Sequence, residues 1–222
     1  EGRYFPQTGF RIDNDAIWTY FNRRGGEQTF GYPVSRTFTL QGFTTQIFQR
    51  RVVQLDEKGL PRLVNLLDSG MMPYTSINGA TLPGIDSALV SSAPNPTDAV
   101  ATLNFVKDHT PDSFNGKPVN FYQTFLNTVS LAVAYPGLNV APYVQPGLNL
   151  EMWGIPTSGP MVDPNNANFI YLRFQRGIMH YDAGCNCTQG VLLAEYLKRI
   201  LTGTDLPPDL DSQAKTSPYY KQ

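Results

Sequence analysis

Apolar positions recur along this chain with two periods, and each stretch implies its own kind of element. In "DNDAIWTYFNRRGG" (13–26), Ile17, Trp18 and Phe21 fall on one helical face. Asn14 or Asp13 stands ready as N-cap, and Arg23, Arg24 and Gly25 suit a C-terminal end. "GKPVNFYQTFLNTV" (116–129) places Val119, Tyr122 and Leu126 at helical spacing, with Pro118 at the first helical position. "NPTDAVATLNFVKDH" (95–109) predicts a helix capped by Thr97, with Ala99, Leu103 and Val106 on its apolar side. The clearest helix is 188–202: Thr188 is its expected N-cap, Leu193, Leu197, Ile200 and Leu201 form a stripe, and Gly203 ends it. Between these stretches the period shortens. "FQRRVVQLD" (48–56), "LPRLVNLL" (60–67) and "FQRGIMHYD" (174–182) read as strands. "DSGMMPYTSINGATLPGID" (68–86) is rich in turn formers, and the tail after 204 is polar and proline-rich, expected to lie at the periphery.

Two of these blocks repeat. "FGYPVS" (30–35) returns as "WGIPTS" (153–158), and each is followed by an "FQR" strand. The step from Gly31 to Phe48 is 17 residues and that from Gly154 to Phe174 is 20, the three extra falling in "MVDPNNANF". An amphipathic helix precedes each copy, with residues 130–151 inserted before the second "WGIPTS". The expectation is an α+β fold in which two duplicated helix-plus-β-hairpin units pack with extra helices into one composite domain. The boundaries are 1–58 for the first repeat, 59–116 for a connecting segment, 117–183 for the second repeat, and 184–222 for a C-terminal helix and polar tail. Pro33 should superpose on Pro156, and Phe48 on a likewise buried Phe174.

Length and composition leave this picture intact and narrow its partners. A chain of 222 residues can bury a substantial core. Gly and Pro together number 19 + 18 = 37, which suits an ordered, turn-rich protein. A formal charge of −1 without any basic run argues against nucleic acid as partner. No apolar stretch approaches the roughly 20 residues of a membrane span. The opening "EGRYFPQTGF" has neither an initiator Met nor an apolar signal region and reads as a mature or trimmed product. Low Lys with abundant Tyr, Thr, Asn and Gln suits a secreted or cell-surface protein.

The quoted blocks resemble the LGFP repeat of bacterial cell-surface proteins: an aromatic helix, "GG", "FGYPVS" and "FQRRVVQL", then "WGIPTS" and "FQRGIMHY". They are also similar to "YFPQTGF…GYPVS…FQR" modules of secreted proteins from Chloroflexota-type bacteria. The likeness covers about half the chain. It departs from the pattern at Phe30 and Trp153, where the family has Leu. It implies a non-catalytic cell-envelope module that binds wall or surface polysaccharide, or anchors a larger secreted protein. Other surface proteins are a further class of partner, and a structural subunit of a surface assembly is an alternative.

Candidate chemistry is sparse. No phosphate loop, GxGxxG, GxSxG, HExxH or paired CxxC occurs, and no cofactor is implied. Cys185 and Cys187 in "CNC" suit a plain turn or a local disulfide better than a redox centre, and "NCT" forms a glycosylation sequon. "DPNNAN" (163–168) reads as a turn in preference to a calcium loop. His180 and Asp182 share a strand face, so a wall hydrolase, glycosidase or amidase, would draw on Glu151, His180 and Asp182, with Asp163 as a further carboxylate. Trp18, Phe48, Trp153 and Phe174 are expected in the core. The ligand-binding candidates are Tyr32, Arg50, Arg176, His180 and Asp182. In this arrangement each Arg sits beside an exposed ring at the repeat rim, Tyr32 in the first copy and His180 or Tyr181 in the second. The competing role for the two Arg residues is as forks bonding loop carbonyls.

Overall fold

A computed structural model describes residues 2–222. The first unit opens with the hairpin β1 (Tyr4–Phe5) and β2 (Phe10–Arg11), then helices α1 (Asp15–Arg23) and α2 (Glu27–Phe30). A four-stranded antiparallel meander follows: β3 (Phe38–Leu40), β4 (Phe43–Ile47), β5 (Val52–Leu55) and β6 (Pro61–Leu63). The connector holds the small hairpin β7 (Ser76–Ile77) and β8 (Ala80–Thr81), then α3 (Ser87–Ser91) and α4 (Ala99–Asp108). The second unit runs α5 (Phe121–Asn127), α6 (Leu131–Ala134) and α7 (Gln145–Trp153), then β9 (Met161–Asp163), β10 (Asn166–Arg173), β11 (Ile178–Asp182) and β12 (Cys187–Gly190). These strands form a second meander in the order β9-β10-β11-β12. The chain ends with α8 (Ala194–Thr202) and α9 (Pro208–Ala214). The protein is therefore α+β with several small antiparallel sheets.

The duplication is real at atomic level. Pro33 bridges Phe48 and Pro156 bridges Phe174, and both phenylalanines are fully buried. Each copy closes on an aromatic triad. Phe21, Phe30 and Phe48 lie 5.4–5.5 Å apart, and Phe174 contacts Phe125 at 6.2 Å and Trp153 at 5.3 Å. "FQR" is the turn of the central hairpin, not a strand: the chain reverses between β4 and β5, and again between β10 and β11. Each unit is thus larger than a helix plus one hairpin, reaching β6 in the first copy and β12 in the second. The three extra residues of copy two are looped out of β10. Between the pairs Asn166↔Asp163 and Ile170↔Val162, β10 advances four positions while β9 advances one.

The glycine of each motif explains why the letters repeat. Gly31 has φ 70°, ψ −168° and Gly154 φ 70°, ψ −163°, a region open essentially to glycine alone. Into the notch left by the missing side chain comes the glutamine of "FQR". A Cβ on Gly31 would lie 2.6 Å from Gln49 Cβ, and one on Gly154 2.6 Å from Gln175 Oε1. Gln49 Oε1 accepts from the Tyr32 N–H at 3.0 Å, and Gln175 Oε1 from the Ile155 N–H at 3.1 Å. The two units then meet reciprocally, as across a two-fold axis. Leu67 N–H donates to the Gln175 carbonyl, and Ala194 N–H to the Gln49 carbonyl, both at 3.0 Å.

Local details correct several sequence expectations. Asn14 caps α1, its side chain accepting from the Ile17 N–H. α4 is capped by Asp98, not Thr97, and buries Thr102, Phe105 and Val106, leaving Ala99 exposed and Leu103 only half-buried. α5 begins after a left-handed Asn120, so Pro118 lies outside it and Phe121 and Phe125 form its buried face. The predicted 188–202 helix is shorter, because Thr188 belongs to β12 and bonds the Val119 carbonyl. From Ala194 onward it matches, with Leu193, Leu197, Ile200 and Leu201 buried and Gly203 at φ 67° closing the end. The tail is no loose periphery, since Leu210 and Ala214 of α9 are wholly buried in the second core cluster.

Asp209 fastens that tail. Its carboxylate accepts from the N–H groups of Asn78, Gly79 and Leu210 and from the Ser76 hydroxyl. Partial burial pushes its pKa up, but the backbone donors of Gly79 and Asn78 and the Ser76 hydroxyl outweigh this and hold it below the ordinary aspartate value. The folded pKa lies below the unfolded one, so the clamp's stability is complete above about pH 4 and fades as pH falls further. Asp209→Asn should lower the melting temperature at pH 6, and the gap from wild type should shrink by pH 3. Thermal melts across that range check this. Gly31→Ala should cost about 3 kcal/mol or more in urea unfolding, because backbone strain alone accounts for about 1–3 kcal/mol. Gln49→Ala, which deprives the Tyr32 N–H of its acceptor, should cost about 1–3 kcal/mol.

Candidate functional site: a groove between the repeats

Where the two units face each other, an open groove of about 1030 Å³ runs between them. The first unit supplies one wall: Gln28 and Thr29 from α2, Tyr32 from the Gly-x-Pro turn, and Gln49, Arg50 and Arg51 from the β4–β5 turn. Opposite stand Asn120, Gln123, Thr124 and Asn127 from α5 and its cap, with Thr188, Gln189 and Gly190 from β12. Trp153 and Gly177 border it from the second unit's motif. The lining is amide, hydroxyl, guanidinium and aromatic, with Ile178, Val191 and Leu192 as its aliphatic part. Glu27 is its one acid.

The β12 edge and α5 are held in place from behind. Thr188 bonds the Val119 carbonyl, and Trp153 Nε1 donates to Thr128 Oγ1 at 2.8 Å. The exposed faces of Gln123 and Asn127 follow from helical spacing, since Phe121 and Phe125 take the buried side.

The Arg residues of this groove differ sharply in their surroundings. Arg50 is half-buried and makes one long hydrogen bond, Nε to the Gly190 carbonyl at 3.3 Å. Arg51 is 3 % exposed and stacks its guanidinium 4.1 Å over the Trp153 ring. Its Nη1 reaches the Arg176 carbonyl at 3.2 Å, and its Nε has no partner. Burial drives the Arg51 pKa down to about 9; Tyr20 opposes the shift, and the neighbouring Arg176 and Arg50 add to it. Position 177, the counterpart of 51 in the second copy, is glycine, and a Cβ there would lie 3.1 Å from Arg51 Nη1. The second copy is hollowed to admit the first copy's arginine.

A two-fold counterpart of this groove exists, with about 720 Å³ bordered by Arg176, Glu151 and the β6 edge from Pro61 to Asn65. There Arg176 and Glu151 are already engaged, while Arg62 is exposed over the Phe43 ring. Arg176 bonds the Leu150 and Glu151 carbonyls at 3.1 and 2.8 Å and Asn65 Oδ1 at 2.9 Å. Glu151 pairs with Arg24 at 3.3 Å and accepts from the Tyr20 hydroxyl at 2.8 Å.

Of the sequence-derived candidates, Tyr32 and Arg50 come together in the main groove. Arg176 lies in the counterpart groove as a fork on carbonyls. His180 and Asp182 lie on β11 and line neither groove, although His180 Nε2 comes within 3.5 Å of Gln189 at the edge of the main one. His180 packs edge-on to Phe169 at 5.6 Å, and burial holds its pKa below the ordinary value, with Asp182 opposing. Asp182 closes a turn by accepting from the Gly184 N–H. Tyr181, expected as an exposed partner, is 3 % exposed and donates its hydroxyl to Asn186 Oδ1. Glu151, His180 and Asp182 therefore do not share one cleft. Asp163 is buried and accepts from the Tyr171 hydroxyl at 3.2 Å and the Asn165 N–H at 2.9 Å, the latter a turn bond at the start of "DPNNAN". Cys185 and Cys187 form a local disulfide beyond β11. Among the described residues no group of three or more His, Cys, Asp or Glu is placed to hold a metal ion, and no helix is long and apolar enough to cross a membrane.

Sequence reasoning missed Arg51, the two glutamines and Arg173. The glutamines carried a signal, since both copies of "FQR" keep them. Arg173 is wholly buried, and its Nη atoms donate to the Pro83, Leu67 and Met72 carbonyls, stitching the connector to the second sheet. No protein-family model, curated protein or solved structure matches the chain.

The unequal surroundings of the paired arginines predict unequal mutants. Arg176→Ala removes three internal hydrogen bonds from a largely buried group and should cost about 2–4 kcal/mol. Arg50→Gln should stay within about 1 kcal/mol of wild type. Chemical denaturation of the two single variants separates them.

Proposed function

We propose that this protein is a non-catalytic module of the bacterial cell envelope whose inter-repeat groove binds a segment of wall or surface polysaccharide. One observation carries the reading: the groove is walled on both sides by amides and hydroxyls, with an aromatic ring at its rim. Saccharides present hydroxyls on every side and apolar C–H patches on ring faces. Asn and Gln offer donor and acceptor together, so they match hydroxyls without regard to which way each O–H turns. Tyr32 supplies an apolar face with a polar tip. The groove's openness suits a chain passing through better than a small molecule enclosed. The resemblance to LGFP repeats supports placement at the cell surface, and the same groove would serve to anchor a larger secreted protein.

A hydrolase reading draws less support. Glycoside cleavage calls on two carboxyl groups about 5–9.5 Å apart across a cleft. This groove offers Glu27 alone, and Glu151 is tied to Arg24 and Tyr20.

Retention on purified bacterial walls, followed by titration with the released soluble glycans, tests the proposal. The wild-type protein should bind, and Gln123→Ala or Asn127→Ala should each weaken binding about 2- to 10-fold with the melting temperature unchanged. Failure to bind any glycan would overturn the reading, and falling turbidity of a wall suspension would replace it with the hydrolase.

A further inference from the structure

We propose, building on the glycan reading of the groove, that its ligand is an acidic saccharide whose oxyanion seats against Arg50 and Arg51. The two residues are adjacent in the β4–β5 turn, and among the described residues neither forms a salt bridge. Elsewhere the fold gives its buried cations several acceptors. Arg173 donates to three carbonyls, although its Nε too has no partner, Arg24 pairs with Glu151, and Arg176 has three acceptors.

Arg51 has the fewest, a single carbonyl. It is buried as deeply as the core, holds one carbonyl at 3.2 Å, and leaves Nε without a partner. The Trp153 face beneath it is an attractive surface for a cation but contributes no counter-charge. A desolvated guanidinium without an anion is costly, and an oxyanion from outside the fold would relieve that cost. Arg50 extends the same feature toward solvent, with its Nη groups free above the Gly190 carbonyl that holds Nε. Two guanidiniums lining one groove offer the forked donors that suit the two-oxygen face of a carboxylate or a phosphate.

Substitution at the second copy's equivalent position sharpens the point. Gly177 is what makes room for Arg51 beside Trp153, so cation and ring are placed as a pair across the unit boundary. Glu27, the lining's one acid, makes no ion pair with either arginine. The lining as a whole therefore keeps one net positive charge for a ligand. The amides and hydroxyls of α5 and β12 are left to read the neutral part of the sugar chain.

Calorimetric titration of the full chain with four oligosaccharides tests this: neutral malto-oligosaccharide, oligogalacturonate, its methyl ester, and phosphorylated malto-oligosaccharide. The acidic forms should bind at least about tenfold more tightly than the neutral and esterified ones, with affinity falling as salt rises. The carboxylate and phosphate arms show which oxyanion is preferred. Arg50→Gln should remove the acidic preference and Arg50→Lys restore part of it. Arg51→Met should remove it while leaving the melting temperature unchanged or higher, because an unpaired buried cation is replaced by an apolar chain of similar length. Equal binding of acidic and neutral forms overturns this inference and leaves the glycan reading standing. Binding of no saccharide at all overturns both. An acidic preference that survives both arginine substitutions, or an Arg51→Met variant that melts lower and still prefers acids, shows the arginines to be architectural.

Discussion

The fit of a glutamine side chain into a glycine notch is the constraint on which the rest of this molecule hangs. Gly31 and Gly154 hold a backbone conformation that no residue with a Cβ adopts cheaply, and Gln49 and Gln175 occupy the space so opened. That contact ties the end of the preceding helix to the central hairpin turn and sets the turn's direction. It also leaves each glutamine's own carbonyl facing outward, where it accepts an N–H from the other unit. One local steric fact thus fixes the motif, the aromatic triad above it and the docking of the two halves.

Duplication followed by divergence accounts for the asymmetry. Both copies carry "FQR", yet Arg176 is consumed by carbonyls and Asn65 whereas Arg50 is nearly free. The difference arises from what each side chain meets. Arg176 is held by the end of α7 in its own unit and by Asn65 across the boundary, whereas Arg50 meets only the strand edge at Gly190. Insertion of residues 130–151 completes the contrast. It brings α7 to Trp153, the ring under Arg51, while the polar side of α5 becomes a groove wall. The two grooves are relatives in geometry and strangers in chemistry.

How much of this the letters disclose depends on how local each cause is. The Gly, Pro, Phe and Gln of the motif answer to backbone and packing demands within one unit, so they recur and can be read. Trp153 and Phe48 are large apolar residues and lie where such residues go. Thr188 misleads because hydroxyl residues serve helix caps and strand edges alike, and only the partner, here the Val119 carbonyl, decides between them. Pro118 misleads because a left-handed Asn120 intervenes before the helix begins. Leu210 and Ala214 hide in a polar tail because two apolar positions four apart suffice to dock one short helix. Arg50 and Tyr32 are legible as rim residues of one motif. Arg51 is not, since its meaning lies in Gly177 and Trp153, more than a hundred positions away.

The reciprocal bonds from Leu67 to Gln175 and from Ala194 to Gln49 have a consequence for assembly. They are the contacts of a homodimer written along a single chain. In a true dimer the groove would exist only while two subunits were associated, and dilution would erase it. Here the connector through β7, β8, α3 and α4 replaces protomer concentration with a fixed effective concentration, so the groove persists in a lone molecule. Tethering also lifts the requirement of identity between halves. A symmetric dimer must build the same groove twice, whereas this chain is free to tie up the arginine of one groove and leave that of the other nearly unengaged.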